Sequence, residues 1–135
     1  MSEAHSQFAV DMTFKATADL SSLLYFPVMA DSAAGTCKAL SGSGNDVVLG
    51  ILQNKPVSGE WAVVRVFGVS KAAVNGGTAV AVRDFLKAGA TAQSNALVKS
   101  ATDKNNVVGI ALEAQTASAN NVIEIFVLPS TLSHS

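Results

Sequence analysis

Val48–Phe67, VLGILQNKPVSGEWAVVRVF, returns later in the chain as Val107–Phe126, VVGIALEAQTASANNVIEIF. Gly50 aligns with Gly109, Ile51 with Ile110, Val63 with Val122 and Phe67 with Phe126, every pair 59 residues apart and without a gap. In both copies a hydrophobic segment around Gly-Ile leads through a polar turn into a β-branched strand that ends in Phe, the pattern of two strands joined by a loop. Two strands alone bury no face, so the duplication predicts a small all-β body with internal pseudo-symmetry. The competing explanation is that strands resemble one another by composition.

The 135 residues amount to one domain. Only 14% of them are charged and the mean hydropathy is +0.35, whereas ordinary soluble domains carry roughly 25% charged residues. Surplus apolar surface of this kind is expected to meet other subunits. The net charge of −1 and the scattered basic residues argue against a nucleic-acid binder. The longest apolar run, Leu23–Ala30, is too short to span a bilayer and is interrupted by Pro27. The N-terminus has no basic leader or apolar signal core, so an intracellular start is expected, and the single Cys37 fits a reducing compartment as a small buried side chain.

Outward from the repeat, Phe8–Lys15 alternates strictly, with Phe8, Val10, Met12 and Phe14 on one side and Ala9, Asp11, Thr13 and Lys15 on the other. This half-buried strand follows a polar leader, so residues 1–15 are expected to be an arm or first strand and residues 16–135 a single β-rich domain. Tyr25–Met29 and Gly35–Leu40 read as short strands about the turn Asp31–Ala34, and Pro27 suggests an edge position because it donates nothing to a ladder. Ser41–Asp46 reads as a flexible loop. Asn75-Gly76-Gly77, between Ala72–Val74 and Thr78–Val82, is a hairpin signal, and Asp84–Lys87 a short strand or one helical turn.

Trp61–Val69 is apolar on both faces, with Trp61, Val63 and Phe67 opposite Ala62, Val64 and Val66. One covering layer is the chain's own core, and the second is expected from a neighbouring subunit. Arg65 and its repeat counterpart Glu124 form a cross-strand ion pair if the copies pair or meet across a symmetry axis, and are independent solvated charges otherwise.

Signs of catalysis are sparse. His5 and His134 lie near the ends, the Gly42-x-Gly44 pair lacks the third Gly or Lys of a phosphate loop, and the carboxylates Asp46, Glu60, Asp84, Asp103, Glu113 and Glu124 show no metal-ligand spacing. The reading is a non-enzyme with no catalytic residue, cofactor or metal.

The block Gly50–Val69, G-I-L-Q-N-K-P-x-x-G-E-x-A-x-V-R-V-x-G-V, with V-V-G-I-A-L-E-A at Val107–Ala114 and an aliphatic closing strand, resembles the capsid decoration (cement) proteins of tailed bacteriophages over Val47–Leu128. The pattern departs at the Ser41–Asn45 loop and the long N-terminal leader. The resemblance implies a small β-barrel or sandwich-like protein, made in the host cytoplasm, that docks as an oligomer, most often a trimer, on the outer surface of the mature head. It would sit at threefold and quasi-threefold positions, bridge neighbouring major capsid subunits and resist the pressure of the packaged DNA, with no nucleic acid or membrane as partner. From the residue patterns, the expected subunit or capsid interface is Phe8, Val10, Met12, Phe14, Trp61, Arg65, Phe67 and Glu124, with Phe8–Lys15 suited to extending a capsid sheet by strand addition. Two other classes fit: a tail-tube or similar self-assembling subunit, and a small β-barrel binding a ligand or carbohydrate. The latter would rely on the single Trp61 and Tyr25 for aromatic platforms.

Overall fold

The computed structural model describes residues 8–75, 77, 79–91, 95–100, 107–116 and 121–128. Nine strands and no α-helix appear among them: β1 (Ala9–Ala16), β2 (Pro27–Ala30), β3 (Thr36–Ala39), β4 (Gly50–Leu52), β5 (Trp61–Val74), β6 (Phe85–Ala88), β7 (Leu97–Lys99), β8 (Val107–Ala111) and β9 (Asn121–Val127). All belong to one hydrogen-bonded sheet, and its pairings close two rings of five strands. The first runs β1-β3-β2-β4-β5 and back to β1; the second runs β5-β7-β6-β8-β9 and back to β5. The 14-residue β5 belongs to both, its first half to one ring and its second half to the other.

Each ring is filled by its own aliphatic cluster. Ala16, Leu20, Val28, Cys37, Leu52, Ala62 and Val64 fill the first. The second holds Val74, Leu86, Leu97, Val108, Ile123, Ile125 and Val127 among others, and it also takes Leu40, Val48 and Ile51 from the first half of the chain. Alternation in β5 follows from this: Ala62 and Val64 are buried, while Trp61 is exposed and Val63 and Phe67 are half-buried.

The duplication extends well beyond the two-strand unit read from sequence. β1 and β3 pair in parallel as do β5 and β7, and the other four pairings of each ring are antiparallel in the same order. Pro27↔Ile51 and Val28↔Gly50 match Phe85↔Ile110 and Leu86↔Gly109. Val28↔Ala39 matches Leu86↔Lys99. The chain is therefore two five-strand units in tandem, and the last strand of the first runs on as the first strand of the second. Even the strain repeats. Tyr25 and Arg83 both have positive φ, +71° and +81°, a region costly for residues with large side chains, and their N–H groups donate to the equivalent carbonyls of Leu52 and Ala111.

In the return strands the register corrects the sequence alignment. Leu52 pairs with Val64 and Ala111 with Ile125, so Val64 corresponds to Ile125, 61 residues on rather than 59. The segment joining the paired residues is two residues longer in the second copy; separately, an irregularity lies between Val10 and Asp11, where two residues of β5 span one step of β1. A slip of two keeps each side chain on its face, which is why the sequence repeat concealed it. Gly50 and Gly109 retain one setting: a Cβ on either would run into the carbonyl oxygen of the return strand, Arg65 or Phe126.

Several expectations change. Pro27 is not at an edge, since β2 lies between β3 and β4; it is buried as the strand's first residue, where its missing N–H is tolerated. Gly76 and Thr78 of the expected hairpin lie outside the described residues; among those described, β5 runs on to Val74 and Val80 forms an isolated bridge with Gln115. The loop at 41–46 is tied down by the buried carboxylate of Asp46, which accepts bonds from Ser41 N (2.9 Å) and Ser41 Oγ (2.6 Å), and by the Ser43–Ala90 bridge. Of the segment read as an arm or first strand, Ala9–Ala16 is a sheet strand with seven register partners on β5; residues 1–7 lie outside the described residues, as do His5 and His134.

Gly50→Ala and Gly109→Ala should each lower the unfolding free energy by about 2 kcal/mol or more, because neither carbonyl can retreat without breaking a ladder. Urea titration with an unchanged slope would show it. Cys37 is buried, and burial, followed by the Asp31 carboxylate, pushes its thiol pKa up. A thiol reagent at neutral pH should label the native protein negligibly and the urea-unfolded chain once.

Candidate interaction surface

The exposed side of the three adjacent strands β1, β5 and β9 is built from paired rungs. Lys15 stands opposite Trp61 with its Nζ 5.6 Å from the ring centre, a cation–π distance. Asp11 stands opposite Arg65 and takes two bonds from its guanidinium, Nε to Oδ1 at 2.8 Å and Nη2 to Oδ2 at 3.1 Å. Arg65 Nη1 also donates to the carbonyl of Val69 at 3.0 Å. The bond to Asp11 raises the already high pKa of Arg65 against the opposing effect of partial burial.

Three phenylalanines cross the same strands. Phe8 meets Phe67 edge to face at 6.1 Å, and Phe67 meets Phe126 at 5.3 Å. Their numbers differ by 59 at each step, the offset of the sequence alignment rather than of the return-strand register. Sequence reading paired Phe67 with Phe126 but missed this third member, which lies outside the aligned block. Phe8 is 68% exposed and Trp61 59%; Val122 and Leu128 on β9 and its end are exposed too.

The expected interface residues therefore divide. Phe8, Val10, Met12 and Phe14 meet different surroundings, with Val10 39% exposed beside the irregularity in the ladder. Phe14 packs on the first core, Phe8 joins the aromatic row, and Met12, opposite the buried Val64, stays half-exposed. Arg65 and Glu124 do not pair with each other. The partner of Arg65 is Asp11, and Glu124 stands in register with Lys71. Both do line a notch of about 220 Å³ between the units, with Tyr25, Gln53, Val69, Ser70 and Lys71. Here Gln53 Nε2 donates to Ser70 Oγ at 2.8 Å, Ala73 N to the carbonyl of Tyr25 at 2.9 Å, and Lys71 Nζ lies 5.8 Å from the Tyr25 ring.

Among the described residues no cluster of three His, Cys, Asp or Glu side chains could hold a metal ion, and no helix is long and apolar enough to cross a membrane. The described surface presents aromatic and aliphatic side chains with a few fixed charges.

No protein-family model matches the chain, and no curated protein does. Among solved structures it is similar to the head fiber gp8.5 N base of bacteriophage phi29, with 17% identity and a TM-score of 0.61, over 94% of this chain and 100% of that one. At this identity the likeness is one of fold.

The Asp11–Arg65 pair has good two-point geometry but is about one-third exposed, so solvent screens it. A double-mutant cycle with Asp11→Ala and Arg65→Ala should return a coupling of about 0.5–1 kcal/mol. In 1 M salt the coupling should fall by half or more.

Proposed function

We propose that this chain is a structural protein of a tailed-bacteriophage head, a decoration or cement subunit on the outer capsid surface that stabilises the mature shell. The observation that carries this reading is the likeness of fold, over nearly the whole length of both chains, to a phage head-fiber base. The decoration-protein pattern at Gly50–Val69 and the low charge point the same way. The partners would be the major capsid protein and further copies of the chain itself, most simply as a trimer at threefold and quasi-threefold positions. The role would be mechanical rather than catalytic.

The described strands supply a means of docking. Both rings are closed, yet β1 pairs with β3 only at Lys15 and Ala16, so from Ala9 to Phe14 its second edge has no strand partner among the described residues. An open edge accepts an added strand through backbone hydrogen bonds. Because Ala9–Lys15 is already held by β5, docking here adds a strand to a formed sheet and avoids ordering a whole arm, which would cost roughly 1–2 kcal/mol per residue fixed. Several such contacts from one oligomer act together, and effective concentration makes a weak contact a firm clamp.

Purified protein added to undecorated heads of the phage that encodes it should bind at saturable external sites, with density at the threefold positions by electron microscopy, and should raise the temperature at which the heads release DNA. Thr13→Pro, which removes an N–H and disturbs the β1 edge, should cut occupancy at least tenfold. Self-assembly into tubes without any binding to heads would favour the tail-tube reading and overturn this one.

A further inference from the structure

The notch between the two units holds polar groups that the fold itself does not use. All of its lining residues are described, and its volume is about 220 Å³. Two of the lining side chains already have partners. Gln53 Nε2 donates to the carbonyl of Ile51 at 3.0 Å and to Ser70 Oγ at 2.8 Å, and Arg65 is tied to Asp11 and to the carbonyl of Val69. Among the described residues the Tyr25 hydroxyl, the Lys71 ammonium and the Glu124 carboxylate make neither a hydrogen bond nor an ion pair. Lys71 and Glu124 stand in register on β5 and β9, and Lys71 Nζ lies 5.8 Å from the centre of the Tyr25 ring.

The tandem duplication separates what the backbone requires here from what it does not. Tyr25 and Arg83 share one turn and a positive φ, so the turn needs no aromatic ring. Arg65 and Phe126 hold equivalent positions opposite Ile51 and Ile110, so the ladder needs no charge there. The ring and the charges are therefore features of this one notch. Their signs narrow what can bind. A lone anion would meet the Glu124 carboxylate, and a lone cation would meet Lys71 and Arg65. An apolar group would cover charged ends without satisfying them. What fits is a neutral group that gives and takes hydrogen bonds at adjacent atoms.

We infer that the notch binds a saccharide through a pair of neighbouring hydroxyl groups. Each hydroxyl has one O–H to give and two lone pairs to receive. Two adjacent ones can therefore donate to the Glu124 carboxylate while accepting from the Lys71 ammonium, and the Tyr25 hydroxyl can serve a third. The ring of Tyr25 adds apolar surface for the C–H groups of the sugar. Pockets for drug-sized ligands start at roughly 300 Å³, so the notch takes a single sugar residue and leaves the rest of any longer glycan outside. The inference is independent of the capsid. Sugar binding by a chain that leaves heads undecorated would overturn the proposed function and leave this site standing.

The test is a titration of the full, isotope-labelled chain followed by amide NMR, with glucose, galactose, mannose, N-acetylglucosamine and N-acetylgalactosamine as the probes. At least one sugar should give saturable shifts centred on Tyr25, Lys71 and Glu124. Glu124→Gln and Lys71→Met change side chains that belong to neither core. Each should weaken binding of that sugar about tenfold with an unchanged melting temperature. Tyr25→Phe, which keeps the ring and removes the hydroxyl, should weaken it about threefold. Failure of every sugar to bind, shifts centred away from the notch, or binding indifferent to both charge changes would each overturn the inference. Saturable binding of glycine at the notch without a response to any sugar would do so too, by assigning the two charges to an amino-acid zwitterion.

Discussion

Gly68 is the register partner of both Ala9 and Val127. One residue therefore carries a strand on each edge of β5, and at that point the first ring hands over to the second. Its φ of +111° is open to glycine at little cost, and a Cβ would lie 2.7 Å from the carbonyl oxygen of Phe8. This close approach lets the β1 ladder extend to the middle of β5, where the β9 ladder begins. The aromatic row Phe8–Phe67–Phe126 lies beside the same crossing, so the exposed surface takes its shape from the backbone constraint beneath it.

Sharing a strand also welds the units together. A five-strand ring of some sixty residues is close to the lower limit for burying a core of its own. Here Leu40, Val48 and Ile51 from the first half of the chain complete the core of the second ring. The notch lined by Tyr25, Gln53 and Lys71 is the polar rim of that joint. With the first half of the chain lending side chains to the second core, the two units are expected to unfold as one body.

Charge is spent sparingly and locally. Asp11 and Lys15, the charges of the edge strand β1, are turned inward along the sheet to Arg65 and Trp61. Edge strands commonly use such charges to repel unwanted neighbours. With these two engaged, the edge keeps its capacity to accept another strand, and the exposed Phe8, Met12 and Trp61 surround it with surface that gains from burial.

Much of this architecture was legible in the chain. The 59-residue echo disclosed an all-β duplication, the alternation of Phe8–Lys15 marked a strand, and lone Cys37 read as a core residue. These follow from local periods and composition, which any sequence carries on its face. Other features arose only when distant strands met. The full extent of the repeat was hidden because β1 and the second half of β5 share few residue identities; hydrogen bonding constrains backbone, not side-chain type. The two-residue slip of the return strands was invisible because it leaves inward and outward positions unchanged. Arg65 could be recognised as a strand charge, but its choice of Asp11 over Glu124 depended on an irregularity in a ladder between residues 54 apart. Sequence determined which surfaces of each strand wanted burial, and the closure of the two rings decided which of them stayed exposed.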